Sequence, residues 1–276
     1  MSLEVYRFDT GVAETEQDVI TAIDDFLVNT VGTWTRIETV SDTASNRDYA
    51  WSSVGSDPDN YDTIFIRIRG QSNQIHFYGY SYYESSSVNS FEIYNGSFTY
   101  LALSSSPIRY WLVGNEDFIQ VHTRRGDTGG YYLGYAGLIR SYYIPENDNY
   151  PLMIRGQSST TTEWEDSNAA YMYNTTTSGE GNFQGFNWDS VLGFDLHYRT
   201  NELCLLPVVM YSADGSNEEV RGEPYGVYQV NGRLSGHQSV ITSVSGTFVV
   251  FKMNTTDSKT YAYGPVASGT TDVSLW

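Results

Sequence analysis

The chain reads as a mainly β protein, an antiparallel sandwich or meander with one N-terminal amphipathic helix, built as one domain or as two β sub-domains. Three observations predict this. Hydrophobic periodicity is helical over a single early segment and then switches to two. Apolar and aromatic runs of strand length recur at short intervals, divided by Gly, Asn, Asp and Ser. Tyrosine occurs 24 times and aromatics make up 15% of the residues, a composition suited to pleated, half-buried surfaces.

The helix comes first. Thr15, followed three residues later by Asp18, forms a capping-box pattern with a short acid. Val19, Ile20, Ile23, Phe26 and Leu27 then share one face, so a helix is expected over Glu14 to Val28, ending near Asn29 and Gly32. A strand follows over Trp34–Val40. Ile64, Ile66 and Ile68 alternate with Phe65, Arg67 and Arg69, which predicts a half-buried strand with the isoleucines inward. After a turn at Gly70 to Asn73, His76, Tyr78, Tyr80 and Tyr82 fall on one face of a pairing strand, with Phe77 and Gly79 opposite. Further strands are expected at Phe98–Leu103, Arg109–Val113, Phe118–Thr123 and Tyr131–Ile139. Gly114 to Asp117 is a connection of hairpin length. The C-terminal strands are expected at Leu203–Tyr211, Tyr225–Val230, Val240–Val244 and Thr247–Met253, with Asp214-Gly215 and Asn231-Gly232 as turn dipeptides.

Three segments follow from this pattern: 1–150, the helix with a β-sheet; 151–200, an irregular surface or interface stretch; and 201–276, C-terminal strands that complete the same domain or stand beside it. Within the middle segment, Arg155 to Arg199 is rich in Ser, Thr, Asn and Gly and sustains no period. It nevertheless carries Trp164, Tyr171, Tyr173, Phe183, Phe186 and Trp188. These six are the candidate subunit-interface residues, because that much aromatic area in water is unfavourable. Ile68-Arg69-Gly70-Gln71-Ser72 recurs as Ile154-Arg155-Gly156-Gln157-Ser158, which marks either coincidence or two related sub-domains.

The net charge of −18 weighs against nucleic-acid and anionic-membrane partners. The basic residues are arginine except for Lys252 and Lys259, so the charge fits either ordinary solubility or salt-rich surroundings and a halophilic host. No apolar run reaches the about 20 residues of a membrane span, and Met1 to Asp9 lacks the features of a secretory signal. The single cysteine, Cys204, excludes an intramolecular disulfide and a multi-cysteine cluster.

Catalytic patterns are scarce. His76, His122, His197 and His237 are scattered, with no partner at metal spacing. There is no nucleophile elbow and no phosphate-cradling loop. Asp57, Asp59, Asn60 and Asp62 begin like a calcium loop, but Pro58 and Ile68 break the pattern. Glu163, Glu165 and Asp166 around Trp164 could imitate a glycosidase pair, without any sign of the required separation. No catalytic, cofactor-binding or metal-binding residue, and no cofactor, is assigned. The tyrosine faces at 78–82 and at 131–143 suit either packing within the sheet or an interface for subunits or sugars. Asn95, Asn174 and Asn254 start glycosylation-type triplets that carry little meaning in so Ser/Thr-rich a chain.

Leu205-Leu206-Pro207-Val208, then Gly222 to Val230, then Thr247 to Met253 resemble the C-terminal part of a family of virion structural proteins of tailed phages. The order of Trp34-Thr35, Arg109 to Val113, Phe118 to Val121, Tyr132 to Leu138 and Tyr150 to Ile154 is similar to that family in outline. The chain departs from it at Glu223-Pro224-Tyr225 and in its scarcity of lysine. The matching motifs are core strands, so no functional residue carries over. The resemblance implies a non-enzymatic, multicopy protein of the tail or baseplate. It would be made in a host cytoplasm without a signal peptide and located in the virion. Its partners would be other virion proteins and copies of itself, without nucleic acid or membrane insertion. A host-surface glycan is a further candidate partner. A carbohydrate- or receptor-binding virion module is the alternative, and a glycosidase-like tail enzyme the third.

Overall fold

The structure, a computed structural model, describes residues 5–61, 63–86, 91–92, 100–103, 106–126, 131–142, 151–156, 169–174, 177–184, 204–212, 220–231, 238–243, 246–252 and 260–267. The chain opens with β1 (Arg7–Ala13), the helix α1 (Glu16–Asp25) and a π-helical turn, Phe26–Val31. Next come β2 (Thr35–Thr43), β3 (Asn46–Ser53), β4 (Ile64–Gln71), β5 (Gln74–Tyr82), β6 (Phe91–Glu92) and β7 (Tyr100–Ala102). The middle of the chain forms β8 (Ile108–Gly114), β9 (Phe118–Arg125), β10 (Tyr131–Ser141), β11 (Leu152–Gly156), β12 (Ala169–Asn174) and β13 (Thr177–Gln184). It finishes with β14 (Cys204–Pro207), β15 (Val209–Ser212), β16 (Val220–Pro224), β17 (Val227–Asn231), β18 (Gln238–Ser243), β19 (Gly246–Lys252) and β20 (Thr260–Val266).

Among the described residues these strands make three antiparallel sheets. A six-stranded sheet runs β2-β3-β4-β5, with β6 and β7 both pairing with β5. A nine-stranded sheet runs β1-β8-β9-β10-β11-β12-β13-β15-β16, and a five-stranded sheet runs β14-β17-β20-β19-β18. The mainly β expectation with one N-terminal helix therefore holds. The nine-stranded sheet also returns on itself. Its last strand pairs back onto β10, with Ile139 opposite Pro224 and Ser141 opposite Gly222. Strands β10 to β13, β15 and β16 thus form a closed hydrogen-bonded circuit that removes the edges of those strands.

The nine-stranded sheet is the middle layer. On one side α1 and the six-stranded sheet cover it: Val19, Ile20, Ile23, Ile64, Ile66, Ile68 and Phe77 meet Leu112, Ile119, Val121 and Leu152 in one buried cluster. On the other side Trp111, Val113, Phe118, Tyr135 and Met153 join Val227, Tyr263 and Val266 of the five-stranded sheet. Each fully buried isoleucine stabilises the fold by about 1.5–3 kcal/mol over an exposed one. Burial on both sides explains why Tyr131 to Ile139 is a continuous run of buried residues and not an alternating one.

Thr15 caps α1 as expected. Its side chain accepts from the Asp18 backbone, and the Asp18 carboxylate accepts from the Thr15 N–H. The α-helix stops at Asp25 instead of running to Val28, and the π-helical turn carries the chain to Gly32, which closes it at φ 81°. Phe26 and Leu27, fully buried, stay on the core side through that turn. The helix sits close on β4: a side chain at Gly70 would stand 2.9 Å from the Glu16 carbonyl.

Other expectations are revised. Leu203–Tyr211 divides into β14 and β15, which enter different sheets, because Pro207 lacks the N–H needed to extend the ladder. Parts of the stretch expected to be irregular, residues 152–156, 169–174 and 177–184, run as strands. Thr177–Gln184 shows no hydrophobic period because pairing to β12 and β15, not an apolar face in its own sequence, defines it. The two copies of the repeated pentapeptide sit in different settings. The first copy ends a hairpin beside α1, with an outward, half-buried Arg69. The described part of the second copy, Ile154 to Gly156, lies between β10 and β12 with Arg155 fully buried.

Candidate binding face

The inward isoleucines of β4 leave Phe65, Arg67 and Arg69 on the outer surface of the six-stranded sheet. Ile75 and Phe77, inward on β5, likewise leave His76, Tyr78 and Tyr80 outward. Register then assembles them. Arg67 lies opposite Ala50 and Tyr78, Arg69 opposite Asp48 and His76, and Phe65 opposite Ser52 and Tyr80. Strand β7 adds Tyr100 opposite His76. The two-residue turn Ser72-Asn73, both with φ near +60°, fixes this register, and the Asn73 N–H donates to Glu16 Oε1 at 2.9 Å.

Arg67 makes a two-pronged contact with Asp48: Nε donates to Oδ1 at 2.8 Å and Nη2 to Oδ2 at 2.6 Å. Burial draws the Arg67 guanidinium down, but the Asp48 carboxylate overrides it and holds its pKa above the usual arginine value. The guanidinium carbons of Arg67 and Arg69 lie 5.1 and 5.5 Å from the Tyr78 ring centre. The His76 ring is nearly parallel to Tyr78 at 6.4 Å and sits 5.6 Å from Tyr100. Burial, and then Arg69, lower the His76 pKa to about 4, so its ring is neutral near pH 7.

The neighbouring part of this surface is covered. After β5 the chain turns back across β4 and β3, and Tyr83 Oη donates to the Glu38 carboxylate on β2. Ser86 adds two donors to the same carboxylate, at 2.9 and 3.0 Å. Tyr83 packs edge-on against Tyr80 at 4.9 Å, and with Ala50 they form a small buried cluster. Burial raises the Glu38 pKa, but the Tyr83 and Ser86 hydrogen bonds outweigh it and bring it below the ordinary carboxylate value. What stays half-buried and outward is Arg67, Arg69, His76, Tyr78 and Tyr100, with Tyr82 at 55% exposure beyond them.

The other tyrosine group is different. Tyr131, Tyr132 and Tyr135 on β10 are buried as core residues, and Tyr142 alone of the described ones there is exposed. Of the six expected interface residues, Trp164, Phe186 and Trp188 lie outside the described residues. Tyr171 and Tyr173 are on β12 and Phe183 is on β13, opposite Met210 of β15. Asp57 to Asn60 form a hydrogen-bonded turn, and among the described residues no group of three or more His, Cys, Asp or Glu could hold a metal ion. No described helix is long and apolar enough to cross a membrane.

No protein-family profile matches this chain, and no curated protein matches it. The sequence alone displayed half of the outer face, the Ile/Arg alternation and the tyrosine run. Asp48 and Tyr100 were not apparent, because only strand register brings them to it.

Proposed function

We propose that this chain is a structural component of a tailed virus particle, present in many copies in the tail or baseplate and without catalytic activity. The observation that carries the reading is the place of the strands that bear the resemblance. Val208 and Val227, with Leu112, Val113 and Ile119, are buried in the two clusters between sheets, and Phe248 is buried in a cluster within the five-stranded sheet. The matching motifs are thus the parts of the chain that set its layered architecture. The early Trp34 belongs to the same frame, its indole N–H donating to the Asn115 carbonyl at 2.8 Å. In such a particle the chain meets copies of itself and other virion proteins, with residues 155–199 among the contacts.

Mass spectrometry of purified particles, with the protein located by labelled electron microscopy, tests this. Stoichiometric presence in the tail supports the reading, and absence from the particle ends it. The second reading, a carbohydrate- or receptor-binding module, is favoured by the arginine–tyrosine face of the six-stranded sheet. A glycosidase role for Glu163 and Asp166 would show as turnover of a host polysaccharide.

A further inference from the structure

We infer that the outer face formed by β3, β4, β5 and β7 binds a carboxylate-bearing sugar, with Arg69 receiving the carboxylate and Tyr78, His76 and Tyr100 forming the platform for the sugar ring. The inference stands whether or not the chain belongs to a virus particle.

Charge complementarity identifies the occupant. The chain as a whole is strongly acidic, at −18. This face gathers two guanidiniums and two carboxylates, and the Glu38 carboxylate is occupied by Tyr83 and Ser86. Both oxygens of Asp48 are taken by Arg67. Among the described residues, Arg69 makes no ion pair, and its buried Nε meets no hydrogen-bond acceptor. On this face its guanidinium lies 5.5 Å from the Tyr78 ring centre and repels a proton on His76. With His76 neutral, the Arg69 guanidinium is left without an ion-pair partner in a half-buried setting, where pairing with an anion is worth more than in open water. A planar guanidinium matches a carboxylate by paired N–H···O bonds.

The rings decide between a sugar and a bare anion. His76 is stacked with Tyr78 at 6.4 Å and tilted against Tyr100 at 5.6 Å, so three rings cluster next to the cation. Such a surface is apolar across its faces and polar at its rims. A pyranose matches it, with C–H groups against the rings and hydroxyls toward the tyrosine oxygens. A small inorganic anion would leave the rings uncovered.

The test uses the full chain in a low-salt buffer, by calorimetric titration with three probes of equal length: hexagalacturonate, a neutral galactose hexamer and hexaglutamate. The expected result is binding of the uronate about tenfold or more tighter than either of the others. Arg69→Gln should weaken it by about tenfold with an unchanged unfolding midpoint, and Arg69→Lys should restore part of the loss. In the wild-type protein, the His76 ring resonances should shift on adding the uronate, a readout independent of any variant's folding. Absence of uronate binding overturns the proposal. So does equal affinity for the neutral sugar, for hexaglutamate, or for the Arg69→Gln variant.

Discussion

At the scale of single residues, the structure separates charges that hold the fold from charges that are free to act. Asp48 is only 1% exposed, and its carboxylate depends on Arg67. Arg67→Met should therefore lower stability by about 2–4 kcal/mol, because a buried carboxylate loses its partner, whereas Arg69→Gln should change it little. Urea unfolding of the two variants checks the contrast. A second residue-scale prediction concerns His122. Its ring is fully buried, 4.0 Å from the Tyr263 ring centre and 3.2 Å from Gln120 Oε1. Burial, and then Arg155, lower its pKa to about 3. An unfolded histidine titrates near about 6.5, so between these values the unfolded chain binds a proton that the folded chain refuses. The stabilisation is complete above the unfolded value and is lost as pH falls toward the folded one. His76, lowered to about 4, acts with the same sign. His122→Gln should reduce the drop in unfolding midpoint between about pH 7 and about pH 4. An unchanged pH slope would contradict this assignment.

At the scale of elements, close backbone approaches control how strands join. Gly137 in β10 has φ +140°, and a side chain there would stand 2.4 Å from the Asp117 carbonyl oxygen. Gly137→Ala should cost on the order of 3 kcal/mol, read as a shifted urea midpoint. The strap held by Glu38 offers a gentler test. Glu38→Gln should speed amide exchange at Ser86 while leaving β4 protected, since its backbone N–H loses a charged acceptor. These elements were unequally legible in the sequence. The helix announced itself twice, by its cap and by its period, and only its last turn differed. The Ile64–Ile68 strand was equally clear, because one side faces core and the other water. Strand β1 was missed because Asp9-Thr10-Gly11 interrupts any alternation, and pairing to β8 is what extends it. Strand β20 contains Gly264-Pro265 and is defined by its central place between β17 and β19. Of the candidate face, the residues within one hairpin could be read. Those brought by register from β3 and β7 could not, since cross-strand pairing leaves no mark in local sequence.

At the scale of the whole molecule, charge and connectivity dominate. A net −18 is distributed over a body stacked in three layers. At about 0.01 M salt carboxylates repel one another over about 30 Å, and at about 1 M over only about 3 Å. The unfolding midpoint should therefore rise with salt, measured by thermal denaturation in sodium chloride. A flat or falling midpoint would show that self-repulsion is unimportant. The closed circuit has a different consequence, one in time. Arg140 finds Glu223 only after 83 further positions have been made, at a separation of 2.6 Å. During synthesis on the ribosome, β2 to β5 find their ladder partners early, within the stretch that ends at β7. Strand β10 must wait with part of its edge unpaired until β16 emerges. The growing chain is thus most exposed to wrong partners in that interval, and neighbouring nascent chains offer the same waiting edge. Slowing translation between β10 and β16 should lower the yield of native protein more than slowing it after β16.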